Sequence, residues 1–433
     1  MERKMKDSGI EWIGQIPEEW NTIKIKYTSW LKGRIGWQGL KSNEYQDVGA
    51  YLITGTDFSK GIISWDSCVR ISEERFNEAP EIHIKEGDLL ITKDGTIGKV
   101  AIAKNCPQKV SLNSGVLLIR NTKNFKYYDK YLYYVLLSDE FWIWYEMSQT
   151  GNSTIRHLYQ EQFYNFEFTF PTIDEQKKIA NYLDEKVGEI DAIILKTKES
   201  IEEYKKYRKA IVIKAVTKGL NSNVTMKKTD SDWIGEIPAH WNYVRIQSLF
   251  ETVDERNEDE NAILLSLYTA LGVKPRNELE EKGNKASTVV NYKKVKKNDI
   301  IVNKLLAWMG AIGYSDYEGV TSPDYDVYRV REGANVVRNY YNEYFRNTCF
   351  NGDCYKYGHG IMLMRWRTYS EEFLRIKVPN PPLEEQQEIA DYLNQKCTEI
   401  DTLIAKKEAF VLEMESYKKS LIYEYVTGKK EVL

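Results

Sequence analysis

Four histidines, His83, His157, His240 and His359, lie far apart with no HExxH spacing, which leaves little for metal binding or general-base catalysis. Five cysteines, Cys68, Cys106, Cys349, Cys354 and Cys397, are odd in number and form no CxxC pair, so neither a zinc site nor a disulfide framework is encoded. Cys349 with Cys354 is the one pairing to consider, and buried free thiols are the expectation. Asn380-Pro381-Pro382-Leu383 stands one residue from the Asn-Pro-Pro-aromatic motif with which amino-methyltransferases hold a flipped adenine. Leu383 lacks the aromatic face that stacks a base, and no glycine-rich strand-loop-helix precedes it, so the prolines are read as closing a strand and starting a helix. Lys93-Asp-Gly-Thr-Ile-Gly98-Lys99 lacks both the glycine spacing of a phosphate loop and a Ser or Thr after its last lysine. It reads as a β-turn with basic flanks (Lys93, Thr96, Lys99), suited to contacting a DNA backbone. Nothing here has the pattern of a catalytic site.

What remains conspicuous is a set of polar, basic and aromatic residues in loops. The first half offers Arg34, Trp37 and Gln38, then Asn113 with Ser114 and Arg156 with His157. The second offers Lys274 and Arg276, Lys304 and Trp308, Ser322, Asp324 and Tyr325, then His359, Arg365 and Arg367. Arg, Gln and Asn make bidentate contacts to guanine and adenine edges in the major groove, and loops on a rigid sheet can present them. The competing reading for each is a solvated charge or a structural ion pair.

The elements that must position these loops follow from pattern. Asp88-Leu-Leu-Ile-Thr-Lys93 reads as a buried strand, with a turn at Asp94-Gly95 and a second strand at Lys99-Val-Ala-Ile-Ala103. Asp299-Ile-Ile-Val-Asn-Lys304 repeats the plan, leading through Trp308-Met-Gly310 to Ala311-Ile-Gly313. Further strands are expected over 116–120 and 325–330, helices over 128–145 and 339–348, and last strands ending at Pro171 and Pro379. Each region is therefore an α+β unit with a mixed, twisted sheet.

Around these two regions the chain repeats a frame. Trp12-Ile-Gly-Gln-Ile-Pro-Glu-Glu-Trp20 returns as Trp233-Ile-Gly-Glu-Ile-Pro-Ala-His-Trp241. Glu175, Gln176, Ile179, Ala180, Tyr182, Leu183, Lys186, Glu189, Ile190, Asp191 and Ile194 all recur identically 210 residues later, from Glu385 onward. Both copies of that segment carry apolar residues at alternating steps of three and four, including Leu183, Ile190, Ile194 and Ile201 in one and Leu393, Ile400, Ile404 and Val411 in the other. A 3.5-residue repeat on helices of roughly 40 residues, or about 60 Å, predicts a coiled coil between the two. Acidic first turns (Asp174, Glu175, Asp184) and basic last turns (Lys205, Lys206, Arg208, Lys209) would bring opposite charges together in an antiparallel pair. Arg208 and Lys418 occupy equivalent seam positions and are expected to snorkel outward. The division is 1–171 for a first α+β domain, 172–220 for a first long helix, 221–381 for a second domain and 382–433 for a second long helix. Only the frame keeps its identity; the inserted regions share little, as expected if each reads something different.

The 433 residues exceed what one core normally holds, and 42% hydrophobic residues with 31 Tyr and 11 Trp suffice for folded cores. No apolar run approaches the 18 or so residues of a membrane span, so a cytoplasmic protein with no membrane partner is expected. A net charge of −3 argues against a protein that wraps nucleic acid unaided, because Lys and Arg supply most non-specific affinity.

Trp12-Ile-Gly-x-Ile-Pro-x-x-Trp20, Glu385-Gln-Gln-Glu-Ile-Ala390 with Ile400-Asp401, and the alternation of two inserts with two long helices resemble the DNA-specificity subunits of type I restriction-modification systems. The resemblance covers the whole chain. It implies two target-recognition domains that each read half of a bipartite site in double-stranded DNA, related by an internal pseudo-two-fold duplication. It also implies antiparallel helices that separate them and dock two methyltransferase subunits, with restriction/translocase subunits in the full complex. S-adenosylmethionine would then sit on the methyltransferase subunits, with no cofactor, metal or catalytic residue in this chain. Two other classes stay open at this point: a DNA methyltransferase or nuclease with an unrecognised active site, and a protein-binding scaffold. The first would bind S-adenosylmethionine when purified alone, and the second would show no salt-dependent binding to DNA once assembled.

Overall fold

The computed structural model describes residues 3–34, 40–122, 125–149, 156–269, 271–278, 288–361 and 366–432. The chain divides into two compact units, Met1–Lys198 with Ala409–Leu433, and Glu199–Glu408.

In the first unit a six-stranded sheet runs in the order Ser29–Gly33, Val116–Asn121, Leu89–Thr92, Val100–Ile102, Ile62–Ile63, Phe58–Ser59. Its pairs are antiparallel except Val100–Ile102 with Ile62–Ile63, which is parallel. The strand Leu89–Thr92 is apolar without alternation because both its faces are covered. Leu89 and Ile91 join Leu117 and Ile119 in one core, while Leu90 joins Leu118 and Ala101 in another on the opposite side. The helices Asp129–Leu137 and Asp139–Ser148 supply Tyr131, Leu132, Val135, Phe141 and Trp144 to the first of these cores. Sequence pattern had suggested one helix here. It breaks at Ser138, which adopts extended backbone (ψ 165°) while its hydroxyl and N–H both bond the Val135 carbonyl.

The second unit repeats the plan with a sheet ordered Phe250–Val253, Tyr325–Val330, Ile300–Asn303, Ile312–Tyr314, all antiparallel. Its parallel component among the described residues is a single bridge, Leu264 to Val320. Here too the expected helix is two, Arg338–Phe345 and Thr348–Tyr357. Asn347 separates them, its side chain accepting from the N–H groups of Cys349 and Phe350 as an N-cap. Duplication extends into these inserts as structure more than as identity. Arg120 grips Asp88 in the first sheet, and Arg329 grips the equivalent Asp299 in the second.

The frame explains its own repeated residues. Buried Trp20 donates its indole N–H to Glu175 (2.9 Å) at the start of the helix Ile173–Lys218. Gln176 accepts from the Tyr128 N–H (2.9 Å) and donates to the Pro171 carbonyl (2.9 Å). In the other unit Gln386, at the start of the helix Leu383–Val426, accepts from Val337 N–H (2.8 Å) and donates to Pro381 (2.9 Å). Each glutamine thus fastens a long helix to its sheet and satisfies backbone groups that burial would otherwise strand.

Within each unit the two long helices pack antiparallel. In the first, Asp191 meets Lys418 (2.6 Å) and Lys198 meets Glu415 (3.0 Å), with Leu183, Ile190, Ile194 and Val411 buried. In the second, Lys205 faces Glu408 (3.8 Å) and Arg208 binds Asp401 (2.9 Å), with Ile201, Leu393, Ile400 and Ile404 buried. Two expectations about charge are corrected. Arg208 and Lys418 each end on an aspartate of the opposite helix at the water-exposed edge of the seam rather than free in solvent. The acidic first-turn residues serve the α+β domain at their own end: Glu175 binds Arg3 and Trp20, and Asp184 binds Lys130 and Tyr134.

Candidate nucleic-acid interface

In the first unit the loops at one end of the six-stranded sheet, and of a three-stranded sheet ordered Val110–Leu112, Ala50–Ile53, Val69–Ile71, are tied to one another by backbone bonds. The Thr92 hydroxyl closes the 93–98 turn, donating to the Thr96 carbonyl (2.6 Å) and accepting from the Lys99 N–H (2.9 Å). Gly98 takes the left-handed conformation there (φ 77°), and a Cβ on it would lie 2.5 Å from the Trp142 ring. Lys93 N–H donates to the Gly115 carbonyl (2.8 Å), and the Lys93 carbonyl accepts from Leu158 N–H (3.0 Å). Asn113 N–H donates to the Ile53 carbonyl (2.9 Å). Lys93, Thr96, Lys99, Asn113, Ser114 and His157 are thereby gathered on one surface. His157 pairs with Asp94, and its ring packs 4.4 Å from that of Tyr159. Arg156 extends beside them in an exposed ion pair with Glu146 (2.5 Å).

A further loop belongs to this surface and was not singled out in the sequence: Thr54-Gly55-Thr56-Asp57. Asp57, 1% exposed, organises it by accepting from Thr54 N–H (2.7 Å), Thr54 hydroxyl (2.9 Å) and Ser67 hydroxyl (2.8 Å). Lys99 Nζ donates to the Gly55 carbonyl (3.0 Å), so this lysine is committed to joining two loops. Burial beside Asp57 pushes the Cys68 thiol up to about 12, which leaves it inert at neutral pH. The available signal was a short polar turn between apolar strands, with an aspartate placed to bond the backbone behind it.

Arg34 is corrected. It is 2% exposed, donating through Nε to the Leu112 carbonyl (2.8 Å) and through Nη2 to Ser111 (2.9 Å), so it supports the sheet from inside. Trp37, Gln38 and Arg365 lie outside the described residues.

The second unit gathers its own set at the corresponding end of its sheet. Lys304 follows the strand Ile300–Asn303, whose Asn303 pairs in register with Tyr325. Ser322 and Asp324 form the turn before Tyr325, whose N–H bonds the Ser322 carbonyl (3.0 Å). The Lys304 carbonyl accepts from Thr368 N–H (3.0 Å), which brings Arg367 and His359 alongside, these two being paired through their backbones. Trp308 sits against Tyr355 (ring centroids 6.0 Å apart), which stacks on Trp366 at 4.9 Å. The Lys304 ammonium lies 3.5 Å from Asp326, itself bound to Lys293 (2.9 Å). Burial raises the Tyr325 phenol, a hydrogen bond with Asn303 and the nearby charge of Arg276 opposing the rise. Lys274 lies apart, paired with Tyr317 (3.3 Å), which follows the strand Ile312–Tyr314 at its other end.

Both surfaces carry hydroxyls, amides and lysines held by rigid sheets, the vocabulary of groove and phosphate contacts. Among the described residues no group of three or more His, Cys, Asp or Glu side chains is placed to hold a metal. Nor, among the described residues, is any helix long and apolar enough to cross a membrane.

Duplicated sheets with polar loops at one end, framed by paired long helices, define a two-domain recognition subunit. Residues 17–203 and 238–411 match the type I restriction modification DNA specificity domain, and the chain belongs to that family. It is 25% identical over 434 residues to a putative type I restriction enzyme MjaX specificity subunit of Methanocaldococcus jannaschii, covering 97% of this chain and 96% of that protein. To the MjaVIII specificity subunit of the same organism it is 27% identical over 240 residues, spanning 55% of this chain and half the length of that relative. In fold it resembles a chain of a type I R-M system solved for its complex assembly and conformational transition (TM-score 0.71, 13% identity, 96% and 99% of the two chains). It also resembles the HsdS subunit from Thermoanaerobacter tengcongensis (TM-score 0.54, 13% identity, 96% and 98%).

Proposed function

We propose that this chain selects the DNA sequence for a type I restriction-modification complex, each recognition domain reading one part of a two-part site. The observation that carries this is the contrast between frame and loops. The two units keep the same ion pair, the same glutamine fastening and the same order of four antiparallel strands, yet Lys93-Asp-Gly-Thr stands in one loop where Lys304-Leu-Leu-Ala stands in the other. A scaffold that is held constant while its loops differ is what two independent readers require.

The long helices would dock two methyltransferase subunits, one per copy of the frame, with restriction/translocase subunits joining the full complex. S-adenosylmethionine and the methyl transfer belong to those partners, and this subunit positions the target for them in the cytoplasm. The test is to exchange residues 21–170 for the corresponding region of another specificity subunit and to sequence the methylome of cells carrying the complex. One half of the methylated motif should change while the other stays. A change in both halves, or in neither, rules out modular reading.

A further inference from the structure

Most glycines of the first unit have a reason inside the fold. Gly9, Gly14, Gly87, Gly95 and Gly98 are left-handed, with φ between 67° and 86°. Gly33 has no room, since a Cβ would meet Leu117 at 3.0 Å and the Val116 carbonyl at 3.1 Å. Gly49 and Gly61 are both left-handed and crowded, against Ile71 and Tyr133. Two glycines of the loop surface have no such reason. Gly55 and Gly115 avoid the left-handed region, and a Cβ on them would find only ordinary contacts, 3.6 Å from Thr92 and 3.5 Å from Asp94.

Both occupy central positions of β-turns, closed by Asp57 N–H to the Thr54 carbonyl (3.2 Å) and by Val116 N–H to the Asn113 carbonyl (3.2 Å). Their carbonyls are used, by Lys99 Nζ and Lys93 N–H, but among the described residues neither N–H has an acceptor. Lys93, bonded through its N–H to Gly115 and with its Cε 3.9 Å from where a Cβ on Gly33 would lie, likewise has no anionic partner for its ammonium among the described residues.

We propose that Gly55 and Gly115 are contact points for the DNA sugar-phosphate backbone, free of side chains so that phosphate oxygens reach their N–H groups while Lys93 supplies the charge. The proposal rests on the reading of the first unit as a DNA-recognition domain. Backbone N–H groups are common phosphate donors, and such contacts set the register of a protein on the duplex without carrying sequence information. A methyl group at either position would hold the phosphate away while leaving the protein's own packing intact.

The experiment uses the full-length protein assembled with its methyltransferase subunits, and compares wild type with Gly55→Ala, Gly115→Ala, Lys93→Ala and the control Gly188→Ala, whose added Cβ meets nothing within 4 Å. Melting temperature, affinity for target and scrambled duplexes across salt concentrations, and the methylated motif are measured. Gly55→Ala and Gly115→Ala should melt with wild type, bind both duplexes about tenfold more weakly and methylate an unchanged motif. Their salt slope should stay at the wild-type value, because an uncharged N–H releases no counterion, whereas Lys93→Ala should lower it by about one. Unchanged affinity in both glycine variants overturns the proposal, as does a drop in melting temperature or a change in motif confined to one base. Failure of the wild-type complex to prefer its target over scrambled DNA is a separate result, and it overturns the DNA-recognition reading itself.

Discussion

The Glu140 carboxyl group accepts the backbone N–H of Thr169 (3.0 Å) inside the first unit's core, whereas the duplicated unit has Cys349 and Pro379 at the equivalent places. The two differences explain each other. Thr169 lies on the strand Glu167–Phe170 and has an N–H to satisfy; Pro379 has none, and a thiol suffices there. Glu140 is wholly buried, and its other oxygen has no hydrogen-bond partner among the described residues.

That burial raises the Glu140 carboxyl to about 8, opposed mainly by the Thr169 hydrogen bond. A carboxyl raised above its unfolded value holds its proton in the folded state, so its contribution is fully present below about pH 4 and is lost as pH rises through about 8. The first unit should therefore lose on the order of a few kcal/mol between these limits. Glu140→Gln keeps the acceptor and removes the titration. Melting temperatures at pH 5.5, 7.0 and 8.5 should diverge, with the variant the more stable at the highest pH. Parallel curves would show that Glu140 is not the group responsible.

The carbonyls that end the two long helices are received differently. Val426 accepts from both Tyr131 (2.9 Å) and Thr169 (2.6 Å), while Val216 accepts from Tyr340 alone (3.0 Å) among the described residues. Tyr131→Phe should cost about 0.5–1.5 kcal/mol, since Val426 keeps a donor, and Tyr340→Phe about 1–3 kcal/mol, since Val216 is left buried and unpaired. Denaturant unfolding of each variant checks the order; equal losses refute it.

Arg34 and Arg156 should behave as opposites. Arg34→Ala removes two buried hydrogen bonds and the packing of a large side chain, so stability should fall by about 2–4 kcal/mol with the methylated motif intact. Arg156→Ala breaks only an exposed pair with Glu146, so melting should hardly move. If Arg156 reads a base, affinity falls by about 1–3 kcal/mol with relaxed preference at one position of the motif. Wild-type affinity in that variant removes it from the interface.

Arg208 bridges to Asp401 at the edge of an apolar seam, and both side chains remain in contact with water. Such pairs contribute about 0–1 kcal/mol, and a methionine at that position would extend the apolar packing of Ile201, Ile400 and Ile404. Arg208→Met should leave the melting temperature unchanged or slightly raised and make it less sensitive to salt. A large loss of stability would mean that the pair contributes far more than exposed pairs usually do.

The sequence by itself determined whatever depends on local or repeated pattern. Long helices declare themselves through a 3.5-residue period sustained along both copies, and the duplicated Glu-Gln and Trp motifs mark the frame because identical residues at a constant offset need no knowledge of contacts. The strands Leu89–Thr92 and Ile300–Asn303 were legible for a related reason: burial on both faces leaves an apolar run bounded by polar turns. Tertiary structure decided matters that depend on partners distant along the chain. Arg34 looked like a reader because charge in a loop is usually solvated, yet the carbonyl of Leu112, 78 residues away, takes it inside. The loop at 54–57 escaped notice because its exposed residues, Thr and Gly, carry no charge and its Asp57 turns inward; it joins the interface only once Lys99 and Asn113 are folded against it. Acidic first turns were expected to face the opposite helix through long-range charge complementarity. Hydrogen bonds from Trp20 and Tyr134 claim Glu175 and Asp184 instead, because short directional bonds at a part-buried site outweigh attraction between charges separated by water.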